Sequence, residues 1–442
     1  MGWGLNHPGN DHAVYRCIIC EPAVVTFIDY TAAFDTESQL FLDQALRNAD
    51  VSIKLRRVIQ SIFSAASGCV RIRNPDGSVQ DSDPFDISRG VLQGDIFSPV
   101  AFIAGLMETF RTHDLPDAGI TVGSAPHRVT IRGLEYADDA ALLDTNVQQA
   151  SQRLHAISHG SIKDAAMEIS LPKTKVMHIH KKDRVSQTLE EEILNMGFQH
   201  SCPDCSRVFP TKRGLAVHQG RWCDGGKTTR SRKGSLADKH VQHKKRKAKE
   251  EERPHVTLDN TQIDNVYSFT YLGSCFQADG DDMADVKHRI NLAQATFSGL
   301  HHLWRDHRLP ISMKVRLYQA AVCSSVTHAC EAWDLTDPVL RTINGFNSRC
   351  LSAILKADIH EMAASPPFDL NLTIRRRRLR FLGHILRMEP ERLVRKTLFA
   401  LTKGGKEYPK GSLFMDVEDS TIEDLVCLAE DRNSWKLLVS SL

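Results

Sequence analysis

Val24-Val25-Thr26-Phe27-Ile28-Asp29 is a β-rich, mostly apolar run that ends on a carboxylate. Its composition predicts a strand carrying an Asp at its end. Further along, Leu134-Glu135-Tyr136-Ala137-Asp138-Asp139-Ala140-Ala141-Leu142-Leu143 sets an acidic pair between two apolar runs. That pattern predicts a β-hairpin with its acids at the turn. An Asp-Asp pair alone is commonly a solvated turn. A second Asp at the end of another strand changes its meaning, because two-metal phosphoryl transfer needs Mg²⁺, and Mg²⁺ takes oxygen ligands from a few carboxylates.

Between the acidic segments lies Arg89-Gly90-Val91-Leu92-Gln93-Gly94-Asp95-Ile96-Phe97-Ser98-Pro99, a polar, glycine-containing loop that leads into an apolar helix. Glycine lacks the Cβ that would block close approach of a nucleotide, and Gln93 offers it a polar side chain. The same residues also read as an ordinary helix start, with Ser98 as N-cap and Pro99 at the first helical position.

The segments Phe27-Ile28-Asp29-Tyr30-Thr31-Ala32-Ala33-Phe34-Asp35, Arg89 to Gly94 with Ser98-Pro99, and Tyr136-Ala137-Asp138-Asp139 resemble, in order and spacing, motifs A, B and C of non-LTR (LINE-type) retrotransposon reverse transcriptases. Met167 to Lys175 resembles motif D without the family's Gly-Leu and Asn. Tyr271-Leu272-Gly273-Ser274 resembles the start of the thumb, and Arg375 to His384 the post-thumb segment. The resemblance implies an RNA-directed DNA polymerase that uses Mg²⁺ or Mn²⁺, dNTPs, an RNA template and a DNA primer. It assigns Asp29, Asp138 and Asp139 to the metals and Phe34 to a steric gate against the 2′-hydroxyl. Gln93 and Gly94 would line the dNTP and template pocket, with Tyr136 near the primer end. Lys173 would be general acid to the leaving pyrophosphate, with Lys175 as its competitor.

Cys202, Cys205, His218 and Cys223 follow a C-x2-C-x12-H-x4-C pattern, with Phe209 and Leu215 where a ββα finger keeps its small core. This resembles a C2H2-type finger with Cys as last ligand, and predicts Zn²⁺ binding on which the unit's fold depends. The tract Lys244-Lys245-Arg246-Lys247-Ala248-Lys249 reads as a solvated linker, as a phosphate-binding segment or as a nuclear localisation signal. The arginines at 375–380 read equally as a grip on a nucleic-acid backbone and as one exposed helix face.

The 442 residues have room for about two to four domains and, at 41% hydrophobic, enough apolar content for a sizeable core. With 56 basic and 54 acidic residues, net +2, any affinity for polyanions must come from local clusters. Eleven cysteines without a secretory leader predict an intracellular, reducing setting. The apolar stretch Pro99 to Met107 is too short to cross a membrane.

The expected architecture is α+β: a ferredoxin-like right-hand polymerase palm with a ββα zinc-finger insert and a helical thumb and C-terminal region. The boundaries are an N-terminal remnant at 1–22, palm 23–182, finger 200–224, basic linker 225–256, thumb and post-thumb 257–400, and a tail 401–442 that forms a peripheral helix or frays. Only 28 residues precede Asp29. A fingers region is therefore expected to be missing and the polymerase truncated. The alternative is a catalytically inactive relic acting as a zinc-finger nucleic-acid-binding protein.

Overall fold

The computed structural model describes residues 22–91, 97–123, 128–136, 139–180, 200–201, 208–209, 253–357, 368–401, 417 and 420–442. The chain divides into two units, Met1–His180 with Pro254–Leu442, and Lys181–Arg253. In the second unit, His200–Ser201 pairs antiparallel with Val208–Phe209, on either side of the Cys202 and Cys205 positions. Cys202, Cys205, His218, Cys223 and the basic tract 244–249 lie outside the described residues.

The larger unit mixes helix and strand, as the α+β expectation requires. Its main sheet consists of β1 (Ala23–Ile28), β2 (Gly133–Tyr136), β3 (Asp139–Asp144) and β4 (Lys175–Ile179). The order is β4-β1-β3-β2 with every neighbour antiparallel, and helices separate β1 from β2 and β3 from β4. This is the split βαββαβ arrangement of ferredoxin-like sheets.

All of β1 is buried because the sheet is covered on both faces. Val24 and Ile28, with Leu142 and Val176, pack under α1 (Gln39–Asn48), α2 (Ser98–His113) and α3 (Val147–Gly160), through Leu42, Phe102 and Leu154 among others. Val25 and Phe27, with Ala141, Leu143 and Met177, belong to a second core that includes Tyr271, Leu382 and Trp435. Two-sided burial explains why the strand reads as a continuous apolar run rather than an alternating one.

Ser98 is not an N-cap. Phe97 precedes the helix with near-helical angles, Pro99 sits in the first turn, and the buried Ser98 hydroxyl has no partner. The chain returns from the insert alongside β4, where Val176 N donates to Asp264 O and Val266 N to Val176 O. Val256, at the end of the segment expected as linker, is fully buried with Leu258 and Ile263 against the helical side of the sheet.

The strands β5 (Ser268–Tyr271) and β6 (Ser274–Gln277) form a hairpin whose turn residues, Leu272 and Gly273, both have positive φ, as a two-residue turn of the primed type demands. A helical region follows, with α4 (Met283–Gly299), α5 (Asp337–Leu355) and α6 (Leu370–Leu386) around Tyr318, Phe346 and Ile374. Two of the arginines in α6 are structural. Arg378 is 1% exposed and donates to the carbonyl of Trp333, while Arg377 bonds Glu331 and Thr327 at 2.8 and 2.9 Å. The last residues form α7 (Ile422–Glu430) and α8 (Arg432–Ser441), neither peripheral nor frayed. Leu425, Ala429, Trp435 and Val439 join the core on the second face of the sheet, and Trp435 Nε1 donates to Leu379 O at 2.9 Å. Gly383 admits the Trp435 indole, which a Cβ there would strike.

Candidate active site

The sheet register brings the acids together. It pairs Ile28 with Ala140, so one further step sets Asp29 opposite Asp139 at the same sheet end. Strand alternation puts Asp29 on the face of Val25 and Phe27, and Asp139 on that of Ala141 and Leu143. Tyr136 is the register partner of Asp139 and shares that face. Asp138, between these two partners in sequence, lies outside the described residues, as do Gln93 and Gly94.

The motif-D-like segment clamps Asp29. Ser170 N donates to Asp29 O at 2.7 Å, and Asp29 N donates to the Thr174 hydroxyl at 3.4 Å. Lys173 Nζ stands 3.1 Å from Asp29 Oδ2, an ion pair without hydrogen-bond angles. Lys175 points elsewhere, to Pro172 O at 2.6 Å and Asp264 Oδ2 at 2.7 Å. The structure therefore places Lys173, rather than Lys175, at the acids.

Asp29 Oδ2 is shut off from solvent and receives no hydrogen bond. A buried carboxylate oxygen whose charge partner is the exposed Lys173 ammonium suits a hard divalent cation once that side chain moves away. Among the described residues no group of three or more His, Cys, Asp or Glu side chains is arranged to hold a metal. A complete three-carboxylate site would need Asp138.

Phe34 is half-buried and its ring stacks on Phe102 of α2, with centroids 4.4 Å apart. It packs as part of the helical core and borders the motif-B-like loop. Val91 N donates to Phe34 O and Gly90 N to Glu37 O, each at 2.8 Å. Gly90 has φ +74°, and a Cβ there would fall 2.6 Å from Phe34 O and 2.7 Å from Asp35 C. Its missing side chain thus admits the chain's own backbone. Gly90→Ala is expected to destabilise the fold by about 2 kcal/mol, from positive φ plus backbone collision. Urea unfolding measures this, and an unchanged midpoint would refute the close approach.

Glu37 lies beneath this junction, 1% exposed, and neither carboxyl oxygen has a partner. Gly105 of α2 makes room for it. Burial pushes its carboxyl up from the ordinary 4.5 to about 9. The folded chain therefore keeps a proton that the unfolded chain releases, and stability falls as pH rises from about 4.5 towards 9. Glu37→Gln is expected to stabilise the chain by about 1–2 kcal/mol near neutral pH, after allowing for a buried amide, and to flatten that slope. Urea titrations at mildly acidic and mildly alkaline pH distinguish the two. A variant with the wild-type slope would show that Glu37 folds in ionised.

Two contributors escape sequence reading. Tyr271 stands 5.6 Å ring to ring from Phe27, and its hydroxyl donates to Leu134 O and Asp139 O at 3.3 Å, bracing the backbone of the acidic hairpin. The Tyr-Leu-Gly-Ser turn was its only signal. Arg153, 1% exposed in α3, bonds Asp114 Oδ1 and Oδ2 at 2.5 and 2.9 Å, Arg132 O at 2.7 Å and Leu143 O at 3.1 Å. It ties α3 to both strands of the hairpin.

No protein-family model matches the chain, and no curated protein does. Among solved structures it is similar to a telomerase from Candida albicans determined in complex with a fragment of telomeric RNA, at TM-score 0.31 and 11% identity. The alignment covers 98% of this chain and 52% of that one, so this chain spans about half its length. The likeness is slight and carries no argument about function.

Proposed function

We propose that the chain is a reverse transcriptase palm with thumb, of the non-LTR retrotransposon type, extending a DNA primer on an RNA template from dNTPs. One observation carries the proposal: the register that ends with Ile28 opposite Ala140, which brings the next residues, Asp29 and Asp139, to the same sheet end, with Lys173 on Asp29. Asp29 and Asp139, with Asp138, would hold Mg²⁺ or Mn²⁺, which when bound activates the primer 3′-hydroxyl and neutralises charge on the triphosphate. The buried Asp29 oxygen, paired with an exposed lysine that can move away, suits that role.

The remaining work falls to the chain's own groups. The bond that Ser170 N donates to Asp29 O and the one that Asp29 N donates to the Thr174 hydroxyl hold Asp29 at the strand end. Lys173, 68% exposed, can swing from Asp29 to a bound triphosphate and protonate the leaving pyrophosphate. Phe34 would crowd a 2′-hydroxyl, Gln93 and Gly94 would face the nucleotide and template, and Tyr136 would pack against the primer end. The finger ligands Cys202, Cys205, His218 and Cys223 would hold Zn²⁺ and add nucleic-acid affinity.

Primer extension on an RNA template with Mg²⁺ and dNTPs tests the proposal, comparing the intact chain with Asp29→Asn purified identically. Extension that disappears in the variant supports it. Absence of extension by a folded intact chain rejects it.

A further inference from the structure

Away from the acids, α6 and α8 enclose an open groove of about 570 Å³. Arg380 and His384 lie at i and i+4 on α6 with Arg387 as its C-cap, and Arg432 and Lys436 at i and i+4 on α8, so both helices turn basic side chains to the same space. Among the described residues that line it, none is acidic. Arg380, Arg432 and Lys436 are exposed, and none of them forms an ion pair among the described residues. Arg387 is half-buried and anchored to Ala429 O at 3.1 Å. Burial, and to a lesser degree the nearby Arg432, hold its guanidinium below its ordinary value.

We propose that this groove seats the phosphate backbone of a single nucleic-acid strand. An acidic protein surface fits less well. Protein interfaces centre on apolar anchors, whereas Trp435 and Val439 at the groove floor are only 3% and 4% exposed. The Trp435 indole is buried and its N–H donates to Leu379 O, so no face is offered for stacking a base. What remains accessible is positive charge, the signature of a nucleic-acid interface that contacts phosphates without reading sequence. The inference stands apart from the polymerase proposal, since it concerns binding and none of the acids.

The test is fluorescence anisotropy of labelled oligouridine and oligothymidine with the full chain and with Arg380→Glu/Arg432→Glu/Lys436→Glu. Thermal melting checks the fold, and Arg432→Ala/Lys436→Ala serves if the charge reversal misfolds. The basic tract at 244–249 is present in every sample and cancels. Removing three phosphate contacts is expected to weaken both oligonucleotides at least ~10-fold and to make the dependence of log K on log salt shallower by about 2. Loss for one oligonucleotide only would still place a strand in the groove and would tell which of the two probes, the RNA or the DNA, it seats. Unchanged affinity and salt slope in a folded variant would overturn the proposal. So would polyglutamate competing as well as oligouridine, which would assign the groove to an acidic protein.

Discussion

Arg153→Leu is expected to lower stability by about 3–5 kcal/mol, a large part of what a domain possesses. The guanidinium is 1% exposed and serves two carboxylates and two carbonyls. Leucine would fill much of the space yet leave Asp114 without its bidentate partner and Asp144, fully buried, without its neighbouring charge. Burial already pushes Asp144 up to about 6, with Arg153 pulling the other way. Without Arg153 this acid would be driven further towards its neutral form. Because its folded value lies above its ordinary 3.8, Asp144 destabilises the fold increasingly as pH rises through that interval, and the variant should suffer most at neutral pH. Chemical unfolding at several pH values measures the effect. A loss below about 1 kcal/mol would mean that water or another cation replaces the guanidinium.

Asp29→Asn is expected to reduce primer extension at least ~10³-fold, equivalent to about 4 kcal/mol of transition-state stabilisation. The substitution preserves shape and the backbone anchors at Ser170 and Thr174, and removes only the charge that a divalent cation and Lys173 would meet. The Lys173 partner is largely exposed, so the stability change should stay within about 1 kcal/mol. Extension and unfolding measured on one preparation separate the two effects. If extension persists while folding is unaltered, Asp29 is not a metal-bearing acid and the assignment of the sheet end as an active site fails. If both collapse together, the carboxylate is structural.

The strand before Asp29 and the acidic hairpin were legible because their signals are local. A continuous β-rich run and an acidic pair between apolar runs need no knowledge of the rest of the chain. The competition between Lys173 and Lys175 was not legible. Both lie on the same short segment, and only the return of the chain at Asp264 beside β4 decides that Lys175 is occupied. Nor does the sequence show that Gly90, in the same glycine-containing loop as Gly94, makes room for the backbone of residues 34 and 35, a contact that depends on how the motif-A and motif-B segments cross.

The arginines at 375–380 show the same limit. In sequence they are equivalent, but helix rotation against Glu331 and Trp333 buries Arg378, half-buries Arg377 and sends Arg380 to the groove. The C-terminal residues offered too little periodicity around their Gly and Pro breaks to announce core helices. Their burial follows from the apolar second face of the sheet, which would otherwise meet water. Local signals alone thus sufficed for the strands and the hairpin, because strand period and turn chemistry act over a few residues. Tertiary structure decided which lysine meets Asp29, which arginines are buried and what covers the sheet, because long-range packing alone determines which side chains lose water and which partners they find.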